Sequence, residues 1–101
     1  MRVVKANKQH FFDVDETLVR WSRNILGAPI YTPHEPTLLE LIAAKQRGHH
    51  VVVWSAGGWE WADRIVRELN LQNFVDEVRC KPDWYHDDKP ADEWMRRCYI
   101  K

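Results

Sequence analysis

The feature that most constrains this chain is a short apolar run that occurs twice, with an amphipathic helical segment between the two occurrences. Residues 10–14 (HFFDV) and 50–54 (HVVVW) are rich in apolar residues, which is typical of strands buried within a sheet. Between them, the spacing predicts a helix with Pro36 in its first turn and Gly48 where a left-handed C-terminal cap is needed. The apolar face of that helix consists of Leu38, Leu41 and Ile42.

The second half of the chain continues this alternation. The turn at 55–58 (SAGG) leads into a second predicted helix, whose apolar residues recur at helical spacing: Trp61, Ala62, Ile65, Val66 and Leu69. We predict a third strand at 74–78, a short fourth strand at 84–86 and a last helix over 91–98. Residues 18–35 are predicted to be irregular, because Gly27, Pro29 and Pro33 would interrupt a long helix.

These elements predict an α/β fold: a three-layer, Rossmann-like, mostly parallel sheet with helices on both faces and no cap domain. Residues 1–101 are expected to form a single domain, because a second core would leave neither half enough buried surface. Six tryptophans are many for so short a chain, and most of them are predicted to lie in the core, as is Cys98.

Composition and charge argue against several classes of protein. Fifteen basic and fifteen acidic residues leave no net charge, so an extended nucleic-acid-binding surface is not expected. No apolar run approaches the roughly 20 residues of a membrane span, and residues 1–10 lack the apolar centre of a signal peptide. Two cysteines are too few for a disulfide framework, so the expected location is the reducing cytoplasm.

Polar side chains suited to phosphate chemistry fall at or just past the carboxyl ends of the predicted strands. They are Asp13, Asp15, Ser55, Asp87 and Asp88, and Lys81 lies in the loop after the third predicted strand. In a parallel sheet these ends meet at one edge, where ligands bind. Four carboxylates there repel one another unless a counter-charge is present, and Mg²⁺, a hard cation that takes oxygen ligands, is the expected one.

The order of these residues resembles the motifs of the haloacid dehalogenase superfamily of phosphohydrolases. Its first motif, Asp-x-Asp-x-Thr after an apolar strand, corresponds to 13–17 (DVDET), and its second, a Ser or Thr that ends the next strand, to Ser55. The third, a lysine, corresponds to Lys81, and the fourth, an acidic pair that closes a strand, to 87–88 (DD). Together the motifs cover most of the chain.

The resemblance implies a Mg²⁺-dependent phosphomonoester hydrolase that works through an aspartyl-phosphate. It implies that Asp13 attacks phosphorus, and that Asp15 protonates the leaving oxygen and later deprotonates the attacking water. It also implies that Ser55, with the amides of Ala56 and Gly57, cradles the phosphate at a helix N-terminus.

The resemblance assigns the remaining charged residues as well. Lys81 would offset charge on the nucleophile and on the phosphoryl group. The metal ligands would be Asp13, Asp15 through its backbone carbonyl, and Asp87 and Asp88. Members of the superfamily that cleave carbon–halogen bonds lack the acid that stands here as Asp15, which favours a phosphatase.

The spacing between the motifs leaves no room for a cap domain, so the site is expected to be open. Capless members often act on macromolecular phosphates or use a neighbouring subunit as a lid, which keeps a homo-oligomer among the hypotheses. Substrate contacts are predicted at Thr17, Arg20 and Trp21, and the ring of Trp21 or Trp59 is a candidate for stacking on a nucleobase. A nucleotide or nucleic-acid end, a phosphoprotein and a small phosphate ester are all candidate substrates.

Each residue also has an interpretation without catalysis. Ser55 can cap a helix, Lys81 can be an ordinary exposed lysine, and 87–88 can form a turn before Pro90. Lys89 is a second candidate for the third motif, but it follows the acidic pair and breaks the order of the family.

The alternative function is a non-catalytic binding or assembly module that retains the fold of the superfamily. A calcium loop beginning at Asp13 fails, because Leu18 stands where the turn glycine belongs. A closed zinc site would need a Cys-x-x-Cys pair, which the sequence lacks. A receiver domain would carry its phosphoacceptor at the end of the third strand, where this chain has Arg79 and Cys80.

Overall fold

The fold was derived from a computed structural model, which describes residues 7–98. Within these residues the strands and helices are β1 (Gln9–Asp13), β2 (Val19–Arg23), β3 (Pro29–Pro33), α1 (Glu35–Gln46), β4 (His50–Ser55), α2 (Trp59–Glu68) and β5 (Glu77–Cys80). Single turns of 3₁₀ helix form at Gln72–Phe74 and Ala91–Glu93. The order of elements confirms an α/β chain.

Three strands form a parallel sheet with β4 at its centre. β1 pairs with β4 so that Asp13 lies opposite Trp54, and β4 pairs with β5 so that Ser55 lies opposite Cys80. The three valines of β4 are fully buried, as expected for a central strand covered on both faces. The carboxyl ends of β1, β4 and β5 lie together, and we call this end of the sheet the site edge.

Both helices predicted with an apolar face are confirmed. Gly48 follows the end of α1 with a φ of +83°, the left-handed conformation that its position as a cap predicts. On α2, the buried residues are Ala62, Ile65 and Val66, while Trp61 is half-buried and packs against the same core. α2 makes most of its contacts with β4 and β5, so it covers the half of the sheet that ends in Ser55 and Cys80.

The prediction that residues 18–35 are irregular is wrong, because β2 and β3 form an antiparallel hairpin. The side chain of Asn24 closes its turn: Oδ1 accepts hydrogen bonds from the backbone N–H groups of Leu26 and Ala28, both at 2.9 Å. Pro29 and Pro33 occupy the first and last positions of β3, where a missing N–H disturbs the ladder least. The prolines that would interrupt a helix therefore mark the two ends of a strand here.

The chain after β5 contradicts two predictions. Within the described residues no strand forms at 84–86, and the last helix is reduced to the 3₁₀ turn at Ala91–Glu93. We call residues 82–98 the tail segment; all of them except half-buried Ala91 are exposed, including Cys98, which was predicted to be buried. A short helix gains most of its stability from packing an apolar face, and among the described residues this segment buries no apolar side chain.

Smaller corrections concern the third strand and the tryptophans. The strand predicted at 74–78 lies three residues further along, at Glu77–Cys80. All six tryptophans fall within residues 7–98 and none is buried, so the prediction that most of them lie in the core is wrong; Trp84, at 85% exposure, is the extreme case. Neither α1 nor α2 combines the length and the apolar character that crossing a membrane requires.

Candidate active site

Three of the predicted motif residues meet at the site edge. Asp13 ends β1, and its Oδ1 lies 4.0 Å from the Nζ of Lys81, the residue directly after β5. The backbone N–H of Lys81 donates to the carbonyl oxygen of Ser55, the last residue of β4, at 2.9 Å. The ends of three strands are thus connected, and both charged side chains are partly exposed to a ligand.

The loop after β1 turns sharply around one carbonyl group. The backbone N–H groups of Thr17, Leu18 and Val19 all approach the carbonyl oxygen of Val14, at 3.2, 2.9 and 3.2 Å. Val14, Leu18 and Val19 are fully buried, while Thr17 is half-buried. The apolar residues of the loop therefore anchor it to the core and leave the two acidic residues between them, Asp15 and Glu16, exposed.

A conformational cost accompanies this turn. Glu16 adopts a φ of +60°, which is costly for a residue other than glycine and occurs most often where a local contact or function requires it. Its carboxylate accepts a hydrogen bond from the backbone N–H of Trp21 at 2.9 Å, which joins the loop to β2. This contact brings the hairpin alongside Asp15.

The carboxyl group of Asp15 is held by two indoles. Trp21 from β2 and Trp61 from α2 both donate Nε1–H to Oδ1 of Asp15, at 2.8 and 3.3 Å. Two donors from different elements fix the orientation of this side chain. Because both donate to the same oxygen, the arrangement also distinguishes Oδ1 from Oδ2.

Ser55 organises the turn that leads into α2. Its side chain is almost fully buried, and Oγ accepts a hydrogen bond from the backbone N–H of Gly57 at 3.0 Å. A Cβ at position 57 would lie 3.3 Å from this Oγ and 3.5 Å from Cδ1 of Trp61, so the close approach favours glycine. The turn sets the N-terminus of α2, with its partial positive charge, beside the site edge.

Other predicted site residues are not brought to Asp15. The Nη2 of Arg20 lies 3.5 Å from Nε2 of His34, the residue before α1. Successive residues of a strand point to opposite faces, so Arg20 and Trp21 lie on opposite sides of β2. The structure therefore separates the predicted contacts at 20 and 21 and leaves Trp21 on the side of the site.

The predicted metal ligands are divided between two regions. Asp13 and Asp15 lie at the site edge, whereas Asp87 and Asp88 belong to the exposed tail segment. Within residues 7–98, no three His, Cys, Asp or Glu side chains come together as a group able to hold a metal ion. Oδ1 of Asp87 instead accepts a hydrogen bond from the backbone N–H of Lys89 at 2.9 Å, a local turn. The four-residue ligand set is not assembled in this arrangement.

Three aromatic rings beside Asp15 form a cluster that the sequence analysis did not foresee. The rings of Trp21 and Trp61 are nearly parallel, with centroids 6.1 Å apart, and Tyr31 meets them edge-on at 5.3 and 6.0 Å. Tyr31 was missed because the hairpin was missed, and Trp61 was assigned to the core by its helical spacing. The alternating apolar residues on either side of the turn at Asn24 were the available signal.

Comparison with protein families, with curated proteins and with solved structures finds no match for this chain. The function is therefore argued from the chemistry of the site edge. That chemistry consists of a carboxylate beside a lysine, a second carboxyl group held by two indoles, and the N-terminus of a helix.

Proposed function

We propose that this chain is a Mg²⁺-dependent phosphomonoester hydrolase of the haloacid dehalogenase superfamily, acting through an aspartyl-phosphate. The observation that carries the proposal is the junction at the site edge, where the 4.0 Å contact between Asp13 and Lys81 lies next to the end of β4 at Ser55. A partly exposed carboxylate beside a cation is suited to attack on an anionic ester. The resemblance of 13–17 (DVDET) to the first motif of the superfamily supplies the class of reaction.

In the first step, an oxygen of Asp13 forms a bond to phosphorus while the bond from phosphorus to the ester oxygen breaks. The leaving oxygen takes a proton from Asp15. Because the indole N–H groups of Trp21 and Trp61 both occupy Oδ1, we assign that proton to Oδ2 of Asp15. The products of this step are the free alcohol and the phosphorylated Asp13.

In the second step, a water molecule attacks phosphorus and gives a proton to the carboxylate of Asp15. The bond between phosphorus and Asp13 breaks, which releases inorganic phosphate and restores both carboxyl groups. The ammonium group of Lys81 offsets negative charge on the phosphoryl oxygens in both steps. The amide of Ala56, in the turn that leads into α2, is assigned to the same oxygens, while the amide of Gly57 is already donated to Oγ of Ser55.

Mg²⁺ belongs to the proposal because phosphate sites hold this ion through one or two carboxylates together with substrate oxygens and water. Asp13 and the backbone carbonyl of Asp15 would hold it at the site edge. Asp87 and Asp88 would complete the set by an approach of the tail segment. The bound ion would neutralise charge on the phosphoryl oxygens. We assign the cytoplasm as the location, since Cys80 and Cys98 are both free and exposed thiols.

The test is phosphate release from a generic aryl phosphate, measured with Mg²⁺ and with a chelator. We expect Asp13→Asn to lower kcat by at least about 10³-fold, because the nucleophile is lost. The matched control is Asp63→Asn, which removes a surface ion pair with Arg67 on α2 and should leave the rate unchanged. Full activity of Asp13→Asn, or activity that survives chelation, would contradict the proposal. A folded protein with neither activity nor Mg²⁺ binding would support the binding module instead.

A further inference from the structure

The hairpin and α2 line a shallow, open pocket beside Asp15. Its volume is about 500 Å³, and we call it the aromatic pocket; it is lined by Trp21, Pro29, Ile30, Tyr31, Trp61 and Arg64. Trp21 and Ile30 are each 40% exposed, so apolar side chains of the pocket are accessible to solvent next to polar groups. Pockets of this composition, apolar with a few polar groups at the margin, are typical of small-molecule sites.

The rings that line the pocket fix one another. Trp21 and Trp61 are tilted by only 23° from parallel, and Tyr31 lies nearly perpendicular to both, at 68° and 89°. The two indoles are also held by their hydrogen bonds to Asp15. A ligand would therefore meet a preformed aromatic surface with little side-chain entropy left to lose on binding.

We infer that the aromatic pocket binds a nucleobase, so that the substrate class is a nucleotide, free or at the end of a nucleic-acid strand. This inference rests on the proposed function, since Asp15 would protonate the leaving oxygen of the bound ester. Every nucleobase has a flat π-face, and stacking on tryptophan is a general means of holding one. The ribose separates base from phosphate, which allows the base to lie in the pocket while the phosphate lies at Asp13.

Arg64 favours a nucleobase over a cationic group. Its guanidinium carbon lies 6.0 Å from the centroid of the Trp61 ring, and its Nε donates to the carboxylate of Glu68 at 3.0 Å. A cation already beside the ring would repel a quaternary ammonium ligand, whereas its N–H groups can donate to the acceptor atoms of a base. The zero net charge of the chain favours contact with one terminal nucleotide over a long strand.

The linkage in the substrate also separates a nucleotide from a phosphotyrosine. In phosphotyrosine the ring is bonded directly to the ester oxygen, so the ring would lie directly beside Asp15 and the Nε1 edges of the two indoles. A nucleotide places its ring further away by the length of a sugar. The dependence of nucleotide affinity on Trp61, measured against ribose 5-phosphate, therefore reports on the part of the pocket that lies further from Asp15.

The test compares adenosine 5′-monophosphate with ribose 5-phosphate by calorimetry, using Asp13→Asn in the presence of Mg²⁺ so that no turnover occurs. We expect the nucleotide to bind at least about tenfold more tightly than the sugar phosphate. In the same background, Trp61→Leu should remove most of the difference between the affinities for the nucleotide and for ribose 5-phosphate. Trp59→Leu is the matched control, since Trp59 is a half-exposed tryptophan of the same helix outside the pocket. Trp21→Leu tests the neighbouring ring of the same aromatic surface, should Trp61→Leu fail to fold.

Two further arms separate the possible sources and the possible failures. If a 5′-phosphorylated oligonucleotide binds more tightly than the mononucleotide, the substrate is the end of a nucleic-acid strand. If it binds more weakly, the substrate is the free nucleotide. Equal affinity for the nucleotide and for ribose 5-phosphate overturns the inference. So does a loss of nucleotide affinity in Trp59→Leu as large as that in Trp61→Leu. Hydrolysis of an aryl phosphate together with equal affinities overturns only the pocket assignment. Adenosine binding that depends on Trp61, without any hydrolysis, overturns the phosphatase and supports the pocket.

Discussion

Two segments leave the site edge carrying acidic motifs, and they differ in how they are held. The loop after β1 contains Asp15 between Val14 and Leu18, both fully buried. The tail segment after β5 contains Asp87 and Asp88, and it has no buried residue. The first motif is held in place by its apolar neighbours, whereas the second has no comparable anchor. An acidic motif gains a defined position only when the residues around it pack into the core.

The contacts that involve the tail segment are mostly between close neighbours in sequence. The backbone N–H of Ala91 donates to the hydroxyl oxygen of Tyr85 at 3.0 Å, and the ring of Tyr85 meets that of Trp94 edge-on, with centroids 6.4 Å apart. Such contacts order a segment internally without fixing it to the sheet. The loop after β1, by contrast, is joined to β2 and α2 through Asp15 and Glu16.

The largest expected effect is on the free energy of unfolding, to which the core should contribute much more than the tail segment. Ile65→Ala removes a fully buried side chain of α2 and should lower the free energy of unfolding by about 2–5 kcal/mol. Trp94→Ala removes a larger but 54% exposed side chain and should change it by less than about 0.5 kcal/mol. Urea denaturation of the two variants measures both values. A loss in Trp94→Ala comparable to that in Ile65→Ala would show that the tail segment packs on the domain.

The next effect separates the two candidate lysines. Lys81 lies 4.0 Å from Asp13, so Lys81→Met should lower kcat/KM for an aryl phosphate by about 10²-fold. Lys89 lies in the exposed tail segment, and Lys89→Met should leave kcat/KM unchanged. Steady-state kinetics of the matched pair decide between them. A larger loss of kcat/KM in Lys89→Met than in Lys81→Met would show that Lys89 is the lysine of the third motif.

These contrasts also show how much could be predicted from the sequence. β1, β4, α1 and α2 were predicted from runs or helical spacings of apolar residues, and each of these elements buries at least one of those residues in the core. Lys81 was predicted in the loop after the third strand, and because that strand begins three residues later and ends two residues later than predicted, Lys81 follows it directly. The convergence of Asp13, Ser55 and Lys81 then follows from parallel topology.

The failures have two physical causes. The hairpin was missed because Pro29 and Pro33 were taken as interruptions of a helix, when prolines are equally compatible with the ends of an edge strand. The fourth strand and the last helix were predicted from three or four apolar residues each, such as Trp84 and Trp94. Whether such short patterns form an element depends on a packing partner, and no local sequence rule supplies one.

The next prediction concerns Mg²⁺ binding by the tail segment, which the proposed function brings to the site edge. If Asp87 and Asp88 complete the Mg²⁺ site, the double variant Asp87→Asn/Asp88→Asn should weaken Mg²⁺ binding at least about tenfold. Asp92→Asn, on the same exposed segment, is the matched control and should not. Calorimetric titration with Mg²⁺ gives the affinities. Protection of Trp84 from chymotrypsin by Mg²⁺, lost in the double variant, would show the tail segment approaching the site edge.

The smallest expected effect concerns the opposite end of β5, which is held by ion pairs. Nζ of Lys45 donates to Oδ1 of Asp76 at 2.6 Å, and this hydrogen bond lowers the pKa of Asp76 from its ordinary value. Nε2 of His50 lies 2.7 Å from Oε2 of Glu77, and this contact lowers the pKa of Glu77. β5 is therefore tied to α1 and β4 at its beginning, while its end leads into the exposed tail segment.

A carboxyl group whose pKa is lower in the folded chain stabilises the fold above its unfolded pKa, and this stability is lost as pH falls through the folded value. With unfolded values of about 3.9 for Asp and about 4.3 for Glu, the loss should begin near the upper value and grow as the pH falls below both. The effect is modest because these pairs are partly exposed to water. We expect the urea midpoint of Asp76→Asn to decline less steeply than that of wild type between about pH 5 and about pH 3. Asp92→Asn is the control in the tail segment. If both substitutions changed the slope of the urea midpoint against pH equally, the pH dependence could not be assigned to the ion pair at the beginning of β5.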